Sequence, residues 1–271
     1  MKKLSRFEKT FQKLKKEKRK AVVPFLVLGD PSLSKSEYLL KRLIDAGVDG
    51  LELGIPFTDP IADGPTVQQA DLRAFKSGVT PINALALVKR MRAYAPGIPI
   101  GLLVYYNIIV QIGVERFCHI AGKAGADAVL SPDVPLEEIV PLRKACLRNN
   151  LDNVMLVTLT TANKRLKRIA RAASGFLYLV SVLGVTGARK TLPKRTIQLV
   201  RRAKRTTRLP ILVGFGISNQ AQYTSVCRAG ADGAIVGSAI IRNIENELNF
   251  HAAVGKAVAL VKKLKKASKS G

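Results

Sequence analysis

Eight short apolar runs recur along the chain, at Val22–Leu28, Gly50–Phe57, Ile100–Tyr106, Ala128–Ser131, Val154–Leu159, Phe176–Val182, Ile211–Phe215 and Ala234–Val236. They are continuous rather than alternating, and most carry β-branched residues, the pattern of parallel strands buried on both faces. Between them apolar positions follow helical spacing, as in Tyr38–Ala46, Asn83–Tyr94, Val114–Ala124 and Leu136–Asn149. Three return turns share one signal: Asp45-Ala46-Gly47-Val48-Asp49, Ala124-Gly125-Ala126-Asp127 and Ala229-Gly230-Ala231-Asp232. A glycine just past the last helical turn suits a left-handed cap, and the residues after it lead into the next strand.

Eight strand–helix units without an antiparallel hairpin signal predict a single (β/α)8 TIM barrel, strands inside and helices outside. A doubly wound open sheet is the alternative; even spacing and the lack of a Rossmann glycine fingerprint disfavour it. Residues 1–20 read as an extra N-terminal helix, with Phe7, Phe11 and Leu14 on the side that would close the barrel bottom. His251–Lys266 reads as the final outer helix. With no boundary in sight, residues 1–271 are expected to form one domain.

Composition changes this picture little. Apolar residues make up 47% of the 271 positions, enough for a sizeable core, although the formal charge is +26. Basic residues concentrate before residue 21 and in Lys164–Arg171, Arg189–Arg208 and Lys262–Lys269. They interleave with apolar positions such as Leu166 and Ile169, as on solvated helix faces, and no nucleic-acid module accompanies them. Specific nucleic-acid binding is therefore not expected, while attraction of anionic substrates is. Neither a membrane span nor the apolar core of a signal peptide is present, which suggests a cytoplasmic protein without membrane contact. Cys118, Cys146 and Cys227 fit no zinc or disulfide spacing, and His119 and His251 have no ligand partner, so no metal is expected.

Candidate chemistry gathers at the carboxyl ends of the strands, where such barrels place their active sites. Glu52 interrupts an apolar strand; pointing inward among apolar neighbours it would have a raised pKa and could both donate and accept a proton. Asp59 and Asp63 follow in a proline-bearing loop, where turn or capping roles are equally open to them. Glycines after strands six to eight (Gly184 and Gly187, Gly214 and Gly216, Gly237 beside Ser238) could let backbone N–H groups cradle a phosphate. Phe25, Leu103, Tyr105, Leu130 and Tyr178 would line a water-poor pocket fit for a flat aromatic ligand. No strand-end lysine reads as a Schiff-base former, which favours carboxylate acid–base chemistry.

The segment Glu52-Leu53-Gly54-Ile55-Pro56-Phe57-Thr58-Asp59-Pro60, with Ala62-Asp63-Gly64-Pro65, closely resembles the signature of the tryptophan synthase α subunit family. Pro24-Phe25, Gly29-Asp30-Pro31, Tyr105-Tyr106-Asn107, Asp133-Val134-Pro135, Gly184-Val185-Thr186-Gly187, Gly214-Phe215-Gly216-Ile217 and Gly237-Ser238 follow in the family order. The resemblance implies cleavage of indole-3-glycerol phosphate to indole and glyceraldehyde 3-phosphate, late in tryptophan biosynthesis. By that resemblance Glu52 is the acid–base residue at indole C3, and Asp63 stabilises charge at the indole N–H. Tyr178 lies beside the reacting centre, and Thr186 orients Asp63. Gly187, Gly216, Gly237 and Ser238 hold the phosphate. Asp59 and Pro60 face a β subunit in an α2β2 complex, and that partner carries pyridoxal phosphate; this chain carries no cofactor. Ile108 and Leu159 depart from prolines usual in the family. A stand-alone indole-releasing lyase and a weakly catalytic subunit that activates a β partner are the alternatives.

Overall fold

A computed structural model describes residues 4–181, 192–245 and 249–269. Eight strands follow in order: β1 (Ala21–Val27), β2 (Leu51–Gly54), β3 (Ile100–Leu103), β4 (Ala128–Leu130), β5 (Asp152–Val157), β6 (Leu177–Val180), β7 (Ile211–Gly214) and β8 (Gly233–Val236). Each pairs in parallel with its sequence neighbour, and β8 closes on β1. The (β/α)8 barrel expected from the apolar runs is the fold. The runs overshoot the strands at their carboxyl ends because the chain turns there into the active-face loops. Ile100–Tyr106, for example, ends as strand at Leu103, and a helix begins at Tyr106.

The helices among the described residues are α1 (Arg6–Lys16), α2 (Leu33–Asp45), α3 (Pro65–Lys76), α4 (Pro81–Tyr94), α5 (Tyr106–Ile112) and α6 (Val114–Ala124). After them come α7 (Val140–Arg148), α8 (Asn163–Ala172), α9 (Lys194–Thr206), α10 (Gln220–Arg228), α11 (Ser238–Glu245) and α12 (Phe250–Ala267). Ser5 and Glu8 form a capping box at the start of α1, and Phe7, Phe11 and Leu14 are its buried face. Phe7 packs 5.1 Å from the Phe176 ring and lies against Gly50 and Gly101, so α1 plugs the amino-terminal mouth of the barrel. Of the four basic stretches, the first falls on α1 and the last on α12, and the described parts of the middle two fall on α8 and α9, neighbouring outer helices whose inner residues Leu166, Ile169, Leu199 and Val200 are buried. Their charge is therefore a solvated face, although more clustered than its sequence spacing suggests.

The repeated return turn has a physical basis beyond its glycine. Gly47, Gly125 and Gly230 do adopt positive φ. The aspartate that closes each turn then accepts from a backbone N–H at the start of the preceding strand. Asp49 accepts from Val22 at 2.9 Å, Asp127 from Ile100 at 2.8 Å and Asp232 from Ile211 at 2.9 Å. Each carboxylate also pairs with a base: Asp49 with Lys265 and Arg19, Asp127 with Arg92 and Arg6, Asp232 with Lys204. Three clamps thus fix strand stagger at the end of the barrel opposite the candidate chemistry. The cysteines are free, but wide sequence spacing hid one contact: α6 and α7 bring Cys118 and Cys146 to 3.8 Å between sulfurs.

Candidate active site

Glu52 is in register with Phe25 on one side and Gly101 on the other. It is only 4% exposed. Its side chain points into the barrel, because it accepts a hydrogen bond from the Tyr178 hydroxyl on β6, a strand that does not border β2. Its Oε2 has no partner among the described residues. Burial pushes the Glu52 pKa up to about 8, the negative charge of Asp63 adds to the rise, and the Tyr178 hydrogen bond opposes it.

Asp63 lies in the loop between β2 and α3. Tyr105, at the end of β3, donates to its Oδ2 at 2.7 Å and accepts from the Ala62 N–H at 3.0 Å. Phe57 stacks on Tyr105 with ring centroids 4.9 Å apart. Burial raises Asp63 to about 6, against the pull of the Tyr105 hydroxyl. A third carboxyl, Asp71 on α3, is buried and accepts from the Phe57 N–H. Burial, then the charges of Asp63 and Asp30, push it up to about 8. Near pH 7 the arrangement is therefore one carboxylate, Asp63, beside two carboxylic acids.

A cavity opens at the carboxyl ends of the strands. Phe25, Leu103, Tyr178 and Ile235 form its apolar wall, Asp63 reaches it from the loop, and Gly216, Gly237 and Ser238 close its far side. Glu52 adjoins two residues of that wall, in register with Phe25 and hydrogen-bonded by Tyr178. Ser238 begins α11, so the positive end of the helix faces the cavity. The N–H groups of Gly216, Ser238 and Ala239 make no hydrogen bond within the described residues. Phe215 holds a left-handed backbone, φ +58, stabilised by Ser181, which donates to its carbonyl, and by an edge-on contact with Tyr178 at 5.9 Å. That conformation costs a non-glycine residue on the order of 1–3 kcal/mol, and the next residue, Gly216, lines the cavity.

Two of the glycines have another reason to be there. A Cβ on Gly237 would lie 2.7 Å from the Phe25 ring, and one on Gly214 would collide with the Tyr178 hydroxyl. Gly214→Ala is accordingly expected to lower activity at least tenfold by displacing Tyr178 from Glu52, and to destabilise the fold by about 1–3 kcal/mol. Steady-state kinetics beside urea melts would check this; an unchanged kcat would show that the tyrosine has room to move.

The chain matches the family described as "Tryptophan synthase alpha chain" over residues 11–269. It is 48% identical over 228 residues to the tryptophan synthase alpha chain of Methanothermobacter thermautotrophicus, covering 84% of each chain. The alpha chain of Escherichia coli strain SMS-3-5 is 44% identical over 246 residues, 91% of this chain and 92% of that one. Among solved structures, Mycobacterium tuberculosis tryptophan synthase superposes with a TM-score of 0.90 at 29% identity, covering 99% of this chain and 100% of that one. An Aquifex aeolicus structure gives 0.89 at 34%, covering 98% and 99%.

The chain belongs to the tryptophan synthase alpha chain family. The family's reaction is the cleavage of indole-3-glycerol phosphate to indole and glyceraldehyde 3-phosphate, a carbon–carbon lyase step.

Of the residues expected at the alpha-chain site, Glu52, Asp63, Tyr178, Tyr105, Phe25, Leu103, Gly216, Gly237 and Ser238 all gather at one end of the barrel. Leu130 is buried at the end of β4 behind the cavity wall, as is Tyr105, whose hydroxyl is engaged with Asp63. Thr186 and Gly187 lie outside the described residues. Asp59 is exposed on the rim and accepts from Thr58 at 2.5 Å. Pro60 is buried within the loop, and the residue that projects there is Ile61, 85% exposed. Asp71 and Arg242 join these residues without having been expected from the sequence. Asp71 shares the buried face of α3 with Val67, Ala70 and Ala74, and an acid at an inward helical position was the available signal. Arg242 lines the cavity one turn after Ser238.

Proposed function

We propose that this chain cleaves indole-3-glycerol phosphate with Glu52 and Asp63 as its acid–base pair. The observation that carries the reading is the inward Glu52, held by Tyr178 from across the barrel while Asp63 stands near enough to raise its pKa. Protonated Glu52 gives its proton to indole C3, which places positive charge on the ring nitrogen. Ionised Asp63 stabilises that N–H. The Glu52 carboxylate then takes the proton of the adjacent glycerol hydroxyl as the C3–carbon bond breaks; the bonding electrons restore the aromatic indole, and the oxygen becomes the aldehyde carbonyl. Glu52 ends protonated, ready for another turnover. The phosphate meets the free amides of Gly216, Ser238 and Ala239 at the start of α11.

The carbon–carbon cleavage asks the protein only for proton transfers and charge stabilisation, so this reading assigns no cofactor to the chain and leaves pyridoxal phosphate to a β partner in an α2β2 complex. The partner-facing surface would be the rim after β2, β3 and β4. Asp59 and Ile61 are exposed in the first of these loops, and the half-exposed Val110 on α5 and Val140 on α7 follow β3 and β4. No described helix is long and apolar enough to cross a membrane, and the reading places the chain in the cytoplasm. Ile61→Asp is expected to weaken association with the β subunit at least tenfold, leaving cleavage by the isolated chain unchanged; titration calorimetry and the lyase assay measure the two effects. The proposal as a whole is tested by incubating the purified chain with indole-3-glycerol phosphate, alone and with β subunit. Failure to release indole in both conditions would overturn it.

A further inference from the structure

The phosphate-facing end of the cavity holds a cation to which no role has been given. Arg242 lies in α11 one turn after Ser238 and lines the same cavity as Gly216, Gly237 and Ser238. Long helical side chains lean toward the helix N-terminus, which carries its guanidinium toward the free amides there. The residue is half-buried and has no hydrogen bond or ion pair among the described residues. Its natural acidic neighbour three positions on, Glu245, is engaged instead by Arg73 of α3 at 3.7 Å. Arg73 in turn holds Asp30 at 2.7 Å, so α11 is tied through Glu245 to the loop after β1, while Arg242, in the same last turn of the helix, stays free of any ion pair among the described residues. A helix N-terminus offers only about half a positive charge. A phosphate carries up to two negative charges, and an unpaired guanidinium lining the same cavity can make up much of the difference.

We propose that Arg242 is the cationic ligand of the substrate phosphate. That the phosphate belongs to indole-3-glycerol phosphate rests on the function proposed above; that the site takes a phosphate dianion through Arg242 does not.

The test pairs calorimetry with kinetics on the full chain. R242Q is expected to weaken binding of inorganic phosphate and of glycerol 3-phosphate about 10–100-fold, with R242K recovering part of the loss. The KM for indole-3-glycerol phosphate should rise by the same ratio while kcat stays within about twofold, because the contact is equal in ground and transition states. Indole itself should bind R242Q as it binds the wild type. R242M, which keeps the aliphatic stem, serves the same comparison should R242Q fold poorly. Phosphate binding unchanged in these variants would overturn the assignment, as would an equal loss of indole and phosphate, which would mark Arg242 as structural. Were the wild type to bind phosphate through Arg242 yet not cleave the indole substrate, the functional reading would fall and this one would stand.

Discussion

Glu52→Gln should cut kcat for indole-3-glycerol phosphate cleavage by about 10²–10⁴-fold while leaving phosphate affinity intact. Gln is nearly isosteric and can still accept from Tyr178, so the loss isolates the proton. The pH profile of the wild type supplies an independent check. Cleavage needs Glu52 protonated and Asp63 ionised. With Asp63 titrating at about 6 and Glu52 at about 8, kcat/KM should form a bell centred near pH 7, falling below the first value and above the second. A flat profile from pH 5 to 9, or a Glu52→Gln variant with more than a tenth of wild-type turnover, would remove Glu52 from its role. The same burial makes Glu52 a burden on the fold. Its folded-state pKa lies above its ordinary value of 4.5, so the native state holds this proton more tightly than the unfolded chain. The stability this contributes is complete below about 4.5 and is lost as pH rises through about 8. Glu52→Gln should therefore melt higher than wild type at pH 9, with the gap closing toward pH 4.5: less active but more stable.

The sequence signalled the strands and the catalytic candidate through one contrast, a lone carboxylate in an apolar run. The barrel followed from eight such runs, and the N-terminal plug from three apolar residues at helical spacing. What it concealed were contacts between elements far apart in the chain. The Glu52–Tyr178 hydrogen bond spans four strands of the closed barrel and has no local signature. Asp71 reads as one polar residue in a helix, and only packing against the loop that carries Phe57 and Asp63 makes it the third acid of the site. Pro60 looked like a surface residue because it sits in a loop of prolines and acids; the fold tucks it under and turns Ile61 outward. The glycines after strands seven and eight were legible as backbone accommodating an anion. That Gly214 and Gly237 also make room for the rings of Tyr178 and Phe25 required knowing which strands face each other.

The return-turn aspartates yield the largest expected effect on stability, and it falls at the opposite end of the barrel from the chemistry. Asp127 holds Arg92 at 2.6 Å, Arg6 at 2.8 Å and the Ile100 N–H at 2.8 Å, with its side chain 6% exposed. Arg92 is itself 13% exposed and donates to the carbonyls of Gly125 and Ile98, so it cannot swing to water without breaking the turn. Asp127→Ala leaves that guanidinium without a counter-charge and orphans a buried strand N–H. The cost is expected to be about 3–5 kcal/mol in urea unfolding. Arg6→Ala removes only the more exposed partner, 41% accessible, and should cost no more than about 1 kcal/mol. The three clamps should also rank by burial. Asp49, 7% exposed against Lys265 at 17%, should lie close to Asp127, whereas Asp232, 27% exposed against Lys204 at 42%, should matter least. Equal losses at Asp127 and Asp232 would mean that the backbone hydrogen bond they share, rather than the buried ion pair, sets the cost, and that burial of the arginine is incidental.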